Sequence, residues 1–321
     1  MKIQLQNLDT NNSINLSSNI GNQKIVNEEK CNFDLFNLRS CTPAGVLLAS
    51  SIIKKLQKKN PKLKIEFNLD KESQQIAHAN NMRFFSTIKS DSELEKGIVL
   101  DKSEDLFIPI TKFHFHDYMK SWMYSHMTPE QYIEYEAITF AKHLSQNENV
   151  INILAFCINE VIKNSLQHAD VDYVWICAQN FKNQNTIEFA VLDDGIGCKK
   201  RLEKIFNTRL YYDEKALKMA IRPIVAEIHS TDLNDEENQI GMGLYLTSEI
   251  CNSLNGSFTI LSGDTAVTKG AGSTTVKSGS HKGTFVKFSI NTSEKFDYKD
   301  ILNKAFEKAD LIVKHKLETL M

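Results

Sequence analysis

Residues 159–169 read NEVIKNSLQHA, and the interpretation of the whole chain turns on this stretch. From Val150 to His168 the apolar positions Ile151, Leu154, Ile158, Val161, Ile162 and Leu166 recur at helical spacing and define a buried stripe. Glu160 and Asn164 lie one turn apart on that helix, one above the other, and His168 extends their line by another turn. A carboxylate and an amide flanked by core positions are costly unless a cavity or a partner receives them. The spacing alone is common; its meaning depends on the residues downstream of it.

Two strand patterns come next, Tyr173 to Phe181 and Thr186 to Leu192, joined by Lys182-Asn183-Gln184-Asn185 as a hairpin. The second runs into Asp193-Asp194-Gly195-Ile196-Gly197. Further on, Ile240-Gly241-Met242-Gly243-Leu244 opens a helix through Tyr245, Ser248, Glu249 and Leu254, with Asn255-Gly256 as its C-terminal stop. Glycines before a helix let the backbone approach a phosphate, whose charge the helix N-terminus stabilises. Ser257 to Ser262 and Gly283 to Ile290 read as two more strands, with Gly263 to Gly283 between them as a mobile hairpin or insertion.

The order of these pieces carries more than any one of them. Glu160-x-x-x-Asn164, Asp193-x-Gly195-x-Gly197, Gly241-x-Gly243-Leu244 and Gly283-Thr284 resemble, in sequence order, the N, G1, G2 and G3 boxes of the GHKL ATPase superfamily. The resemblance spans roughly residues 130–292, and NEVIKNSLQHA looks closest to the anti-sigma-factor kinase branch. It implies an α+β fold: a Bergerat-type α/β sandwich, a mixed sheet covered by helices, preceded by a smaller α/β domain. It also implies ATP and Mg²⁺ as cofactors. Asp193, an acceptor when ionised, would take the adenine amine, with Thr284 assisting the same base contact. Asn164 would offer its oxygen to Mg²⁺, and Glu160 would orient or deprotonate the attacking water or hold the metal through water. Gly195 and Gly197 would keep side chains off the nucleotide, while Gly241, Gly243 and the amides after them, Leu244 included, would face the phosphates.

Residues 198–240 would be the ATP lid, with a helical pattern from Asp213 to about Ile221 and an acidic stretch from Asp232 to Glu237. Lys199, Lys200 and Arg201 at its start read as a solvated loop or as phosphate contacts. They matter because arginine is scarce: only Arg39, Arg83, Arg201, Arg209 and Arg222 supply a guanidinium fork.

Upstream, residues 1–30 are rich in Asn, Gln, Ser and Lys and read as a loose arm or an edge strand. Thr42-Pro43 starts a helix that Asn60-Pro61 ends. Leu63, Ile65 and Phe67 alternate as a strand, Gln74 to Asn81 reads as a short helix, and Met82 to Ile88 reads as extended. Residues 31–125 are thus a small α/β domain with a faint likeness to STAS modules, which partner anti-sigma kinases. Lysines 54, 55, 58, 59, 62 and 64 read as a solvated helix face. Leu106 to Phe115 alternates as a strand that would put His114 and His116 on one face, without a third metal ligand at useful spacing. Thr128-Pro129 opens a helix with Tyr132, Tyr135, Ile138 and Ala141 on its inner side. The ATP-binding domain is expected over 126–292, and 293–321 as a helical tail packed on the body or on a partner.

The 321 residues are 41% apolar and 24% charged with net charge −2, which excludes wholesale disorder and gives no field favouring nucleic acid or an anionic membrane. Six scattered cysteines without CxxC spacing, no bilayer-length apolar run and no secretory segment near Met1 fit a reducing cytoplasm. The expected activity is an ATP-driven regulatory switch with slow hydrolysis. The alternatives are a Ser/Thr protein kinase of anti-sigma type and a non-hydrolysing nucleotide-binding module. Expected partners are ATP, a regulator or substrate protein, and a second copy of the chain.

Overall fold

The computed structural model describes residues 1–22, 29–89, 106–115, 127–168, 171–223 and 242–320. The N-terminal unit begins with β1 (Lys2–Gln4), β2 (Asn7–Leu8) and α1 (Thr10–Asn22). It continues with β3 (Lys30–Asp34), β4 (Ser40–Cys41), α2 (Pro43–Lys59), β5 (Lys64–Asn68), α3 (Gln74–Asn81) and α4 (Phe84–Lys89). Strands β1, β3 and β5 pair in that order, all parallel, and β2 pairs with β4. Helix α2 starts where its sequence says: Thr42 Oγ1 accepts from Gly45 N at 3.3 Å, Pro43 occupies the first turn, and Asn60 ends it.

Two expectations change here. The polar arm does contribute an edge strand, β1, but most of it is α1. Its Ser- and Asn-rich sequence has little helical propensity of its own. Burial of Ile14 and Leu16 and tertiary bonds hold it instead: Ser13 Oγ donates to Gly45 O at 2.9 Å, and Ser17 Oγ accepts from Ser280 N at 2.9 Å. Likewise Phe84–Lys89 is helical, not extended. Arg83, at φ 65, separates it from α3, and Phe84 and Ile88, four apart, face inward together.

The second unit comprises β6 (Phe107–His114), α5 (Pro129–Leu144), α6 (Glu148–His168), β7 (Tyr173–Phe181), β8 (Thr186–Leu192), α7 (Cys198–Phe206) and α8 (Asp213–Ala220). It ends with α9 (Met242–Ser253), β9 (Ser257–Gly270), β10 (Ser273–Asn291) and α10 (Tyr298–Leu320). The sheet order is β6-β7-β8-β10-β9, and every pairing in it is antiparallel. Strand β6, assigned to the upstream domain by sequence, is therefore an edge strand of this sheet. Residues 263–283 continue β9 and β10 as one long hairpin, turning at Ala271 and Gly272, both with positive φ. On α5 the inner side is Tyr132, Ile133, Ala137, Phe140 and Leu144, while Tyr135 and Ile138 are exposed.

Antiparallel sheets commonly leave one face to water. This one buries both. Val174, Ile176, Phe189, Val191, Val286 and Phe288 pack with α5, α6 and α9 on one side. Trp175, Cys177, Ala190, Leu192, Leu261 and Phe285 pack on the other side with Leu47, Ile53 and the rest of the N-terminal core. A buried carboxylate bridges the layers: Glu188 Oε1 accepts from Ala44 N at the start of α2 at 3.1 Å, and Lys287 pairs with Glu188 at 3.6 Å. The lysine cluster is only partly solvated. Lys54 lies 5.3 Å from the Trp175 ring centre, and Lys55 pairs with Asp194.

Candidate functional site

Helix α6, the end of β8, α7, the start of α9 and the middle of β10 converge on one cavity. Asn164, Asp193, Gly197, Leu244 and Thr284, all singled out by sequence, line it together. Gly195 stands just behind, donating its amide to Asp193 Oδ1 at 2.9 Å. Glu160 and Gly243 meet beside the cavity rather than in its lining: a Cβ on Gly243 would overlap the Glu160 carboxylate, so any larger residue there displaces that carboxylate from its present position. Gly241, His116 and the lid beyond residue 223 lie outside the described residues.

Asp193 is 1% exposed. Oδ1 accepts from the amides of Gly195 and Thr284, the latter at 3.0 Å, and the main chains of Asp193 and Thr284 are joined by a further bond at 2.9 Å. Oδ2 is buried with no hydrogen-bond partner among the described residues. Burial pushes the carboxyl up to about 6 against the pull of those two amides and, more weakly, of the neighbouring Ser165 hydroxyl. An acceptor oxygen buried in the cavity lining, without a hydrogen-bond partner among the described residues while its twin accepts twice, is a group open to a donor.

Behind Asp193 a polar link leads to the N-terminal unit. His281 sits between two register shifts of β10, which aim its ring inward. Nε2 donates to Asp193 O at 2.7 Å, so Nδ1 is the acceptor, and Lys55 Nζ donates to it at 3.2 Å. Burial, then the Lys55 charge, holds the imidazole neutral well below its ordinary value. Asp194 resists the upward push of burial because Lys55, by charge and by hydrogen bond, holds it below the usual carboxylate range.

At the other end of the cavity Asn164 Nδ2 donates to Glu160 O at 2.8 Å, which leaves Oδ1 facing in. Arg201 Nη1 donates to that oxygen at 3.0 Å. Glu160 itself is raised by burial, only partly offset by the Lys163 charge. Gly197, at φ +82, turns the chain from the Asp193 loop into α7 and so delivers Arg201 to the cavity.

Residues 149–294 match the family described as histidine kinase-, DNA gyrase B-, and HSP90-like ATPase. The chain carries a GHKL-type ATPase domain over those residues. No curated protein and no solved structure is matched by the chain. The domain accounts for the converging boxes and supports ATP binding. Strand β6 and helices α5 and α10 extend it on either side.

Ser165, Cys198 and Val286 also line the cavity of the ATPase domain and escaped the sequence reading. Two of them were signalled by position: Ser165 follows Asn164, and Val286 lies on the same side of its strand as Thr284. Of the three basic residues after Gly197, Lys199 reaches Tyr211 O at 3.3 Å, Lys200 is exposed, and only Arg201 enters the cavity. They lie on α7, not in a loop. Among the described residues no group of three or more His, Cys, Asp or Glu side chains is placed to hold a metal, and no helix is long and apolar enough to cross a membrane.

Proposed function

We propose that the chain binds ATP in this cavity, hydrolyses it slowly, and passes occupancy to its N-terminal unit as a regulatory switch. The observation that carries the reading is the unpartnered Asp193 Oδ2 inside a GHKL-type domain. The adenine amine is a donor of the right kind for it, whereas guanine offers an oxygen at that position and leaves two acceptors facing each other. The ribose and phosphates then run toward Asn164, Arg201 and the start of α9.

Glu160 is the base of this reading. Its carboxyl, raised by burial, is a better proton acceptor than an exposed glutamate. A water held against it attacks the γ-phosphorus, the bond to the bridging β–γ oxygen breaks, the proton passes to Glu160, and ADP and phosphate leave. Mg²⁺, implied by the resemblance at Asn164 and Glu160, does not fit this arrangement. Asn164 Oδ1 already accepts from a guanidinium, and a second cation there would be repelled.

The switch reading is supported by Lys55, which belongs to α2 and reaches both Asp194 and His281 behind the base site. Calorimetry with ATP, ADP and GTP, followed by assay of free phosphate, tests the proposal. Adenine nucleotides should bind, GTP should not compete, and phosphate should appear slowly in solution. Label from γ-³²P that accumulates on a partner protein instead would replace hydrolysis by protein phosphorylation. Failure of every adenine nucleotide to bind would reject the assignment.

A further inference from the structure

We propose that Arg201 is the resident cation of the nucleotide cavity, its guanidinium meeting the ATP phosphates where a divalent metal would otherwise sit on Asn164. The inference rests on the ATP-binding reading and adds to it the way charge is neutralised.

Arg201 is drawn in by its helix and anchored on one side only. Nη1 donates to Asn164 Oδ1 at 3.0 Å, while Nε is buried without an acceptor. Its side-chain hydrogen bond among the described residues goes to an amide oxygen, not to a carboxylate. Taking a cation out of water is costly unless an anion or hydrogen-bond acceptors compensate it. Burial lowers the guanidinium to about 10, which still leaves it charged at neutral pH. Asp193, in the same lining, acts on this charge only from a distance, so a buried guanidinium with an unpaired N–H and no carboxylate bonded to it among the described residues is a site open to an anionic ligand.

The geometry of the fork says which ligand. With Nη1 held by Asn164, the opposite edge, Nε with Nη2, is the one that grips two oxygens of a carboxylate or phosphate side by side. In a GHKL-type domain whose base pocket is Asp193, the anion delivered to this edge is a nucleotide phosphate. Asn164 then acts as the positioning residue that aims the fork. Mg²⁺ would have to displace the guanidinium from the same oxygen, exchanging one cation for another.

Titrations of the full-length chain with ATP and with adenosine, in excess Mg²⁺ and in EDTA, test this. ATP affinity in EDTA should stay within about threefold of that in Mg²⁺, and ATP should bind at least about tenfold more tightly than adenosine in both. Arg201→Gln should weaken ATP at least about tenfold in EDTA and leave adenosine unchanged, on the scale of hydrogen bonds to charged groups. Arg201→Lys, which keeps the charge and loses the fork, should fall between.

Collapse of wild-type ATP binding in EDTA with adenosine binding intact would overturn the inference and leave the base site standing. That arm needs no variant, so it decides even if Arg201→Gln fails to fold. ATP binding no tighter than adenosine, or equal losses of both ligands in a folded Arg201→Gln, would also overturn it. Absence of any adenine binding would reject the ATP reading and this inference together.

Discussion

His281 Nε2 donates to the main-chain oxygen of Asp193 at 2.7 Å, tying a residue of the cavity lining to a ring that Lys55 of α2 also holds. The two units of the chain thus meet at the atom next to the site, not merely along an apolar face. In the proposed switch, a nucleotide that shifts Asp193 would move the carbonyl that fixes His281, and Lys55 would pass the strain to α2.

Lys55→Met should cut this route while leaving the cavity intact. The pair with the partly exposed Asp194 contributes little, but the variant also leaves the buried His281 Nδ1 without its donor, so stability should fall by about 1–3 kcal/mol. ATP affinity should change little. Hydrogen exchange should show ATP-dependent protection of the α2 amides in the wild-type chain and its loss in the variant. Equal protection in both would place the coupling elsewhere.

Asp193→Asn should keep the fold, because Oδ1 can still accept from Gly195 and Thr284. It loses the charged acceptor for adenine, worth about 1.5–3 kcal/mol, so ATP should bind at least about tenfold more weakly. Calorimetry beside a thermal melt reads both quantities. Unchanged affinity would remove Asp193 from the base site.

The same carboxyl sets a pH dependence. Oδ1 is committed to two amides, so a proton added to Asp193 goes to Oδ2, the atom proposed to receive the adenine amine. ATP affinity should therefore fall as pH drops through about 6. For the apo chain the sign is reversed. Burial raises the folded pKa above its unfolded value, so the favourable contribution is fully present below about 4. It is lost as pH rises through about 6, at most on the order of 3 kcal/mol. Subtracting the stability–pH curve of Asp193→Asn from that of the wild type isolates this slope from the other carboxylates.

Many elements of both units were legible because they begin or end on punctuation: Thr42-Pro43, Thr128-Pro129, the Lys182–Asn185 turn and the Asn255-Gly256 stop each act locally. The box residues were legible by order. What escaped depends on partners far away in the chain. Helix α1 has no propensity of its own and exists through Gly45 and Ser280. Lys55 looked solvated because its partners, Asp194 and His281, are brought to it only by the packing of α2 on the sheet. One hint was present: Tyr173–Ala178 is apolar at every position, which a half-solvated strand would not be. That pattern anticipates a sheet covered on both faces.

The last prediction separates binding from chemistry at Glu160. Its carboxylate packs against Gly243, outside the lining formed by Asn164 and Asp193, so in the proposed reading it serves the phosphate end and is not needed to hold the base. A positioned general base contributes about 10²–10⁴-fold to rate, and its charge repels phosphate in the ground state. Glu160→Gln should therefore bind ATP as well as the wild type or better, and release phosphate at least about a hundredfold more slowly. Gly243→Ala provides the structural counterpart. The added methyl overlaps the Glu160 carboxylate and must push it or α9 aside, so turnover should fall with a loss of affinity that Glu160→Gln does not show. Phosphate release under saturating ATP and equilibrium titration of each variant supply the comparison. If Glu160→Gln loses ATP binding outright, the carboxylate holds the nucleotide rather than a water. If its turnover is unchanged, the proton of the attacking water goes elsewhere.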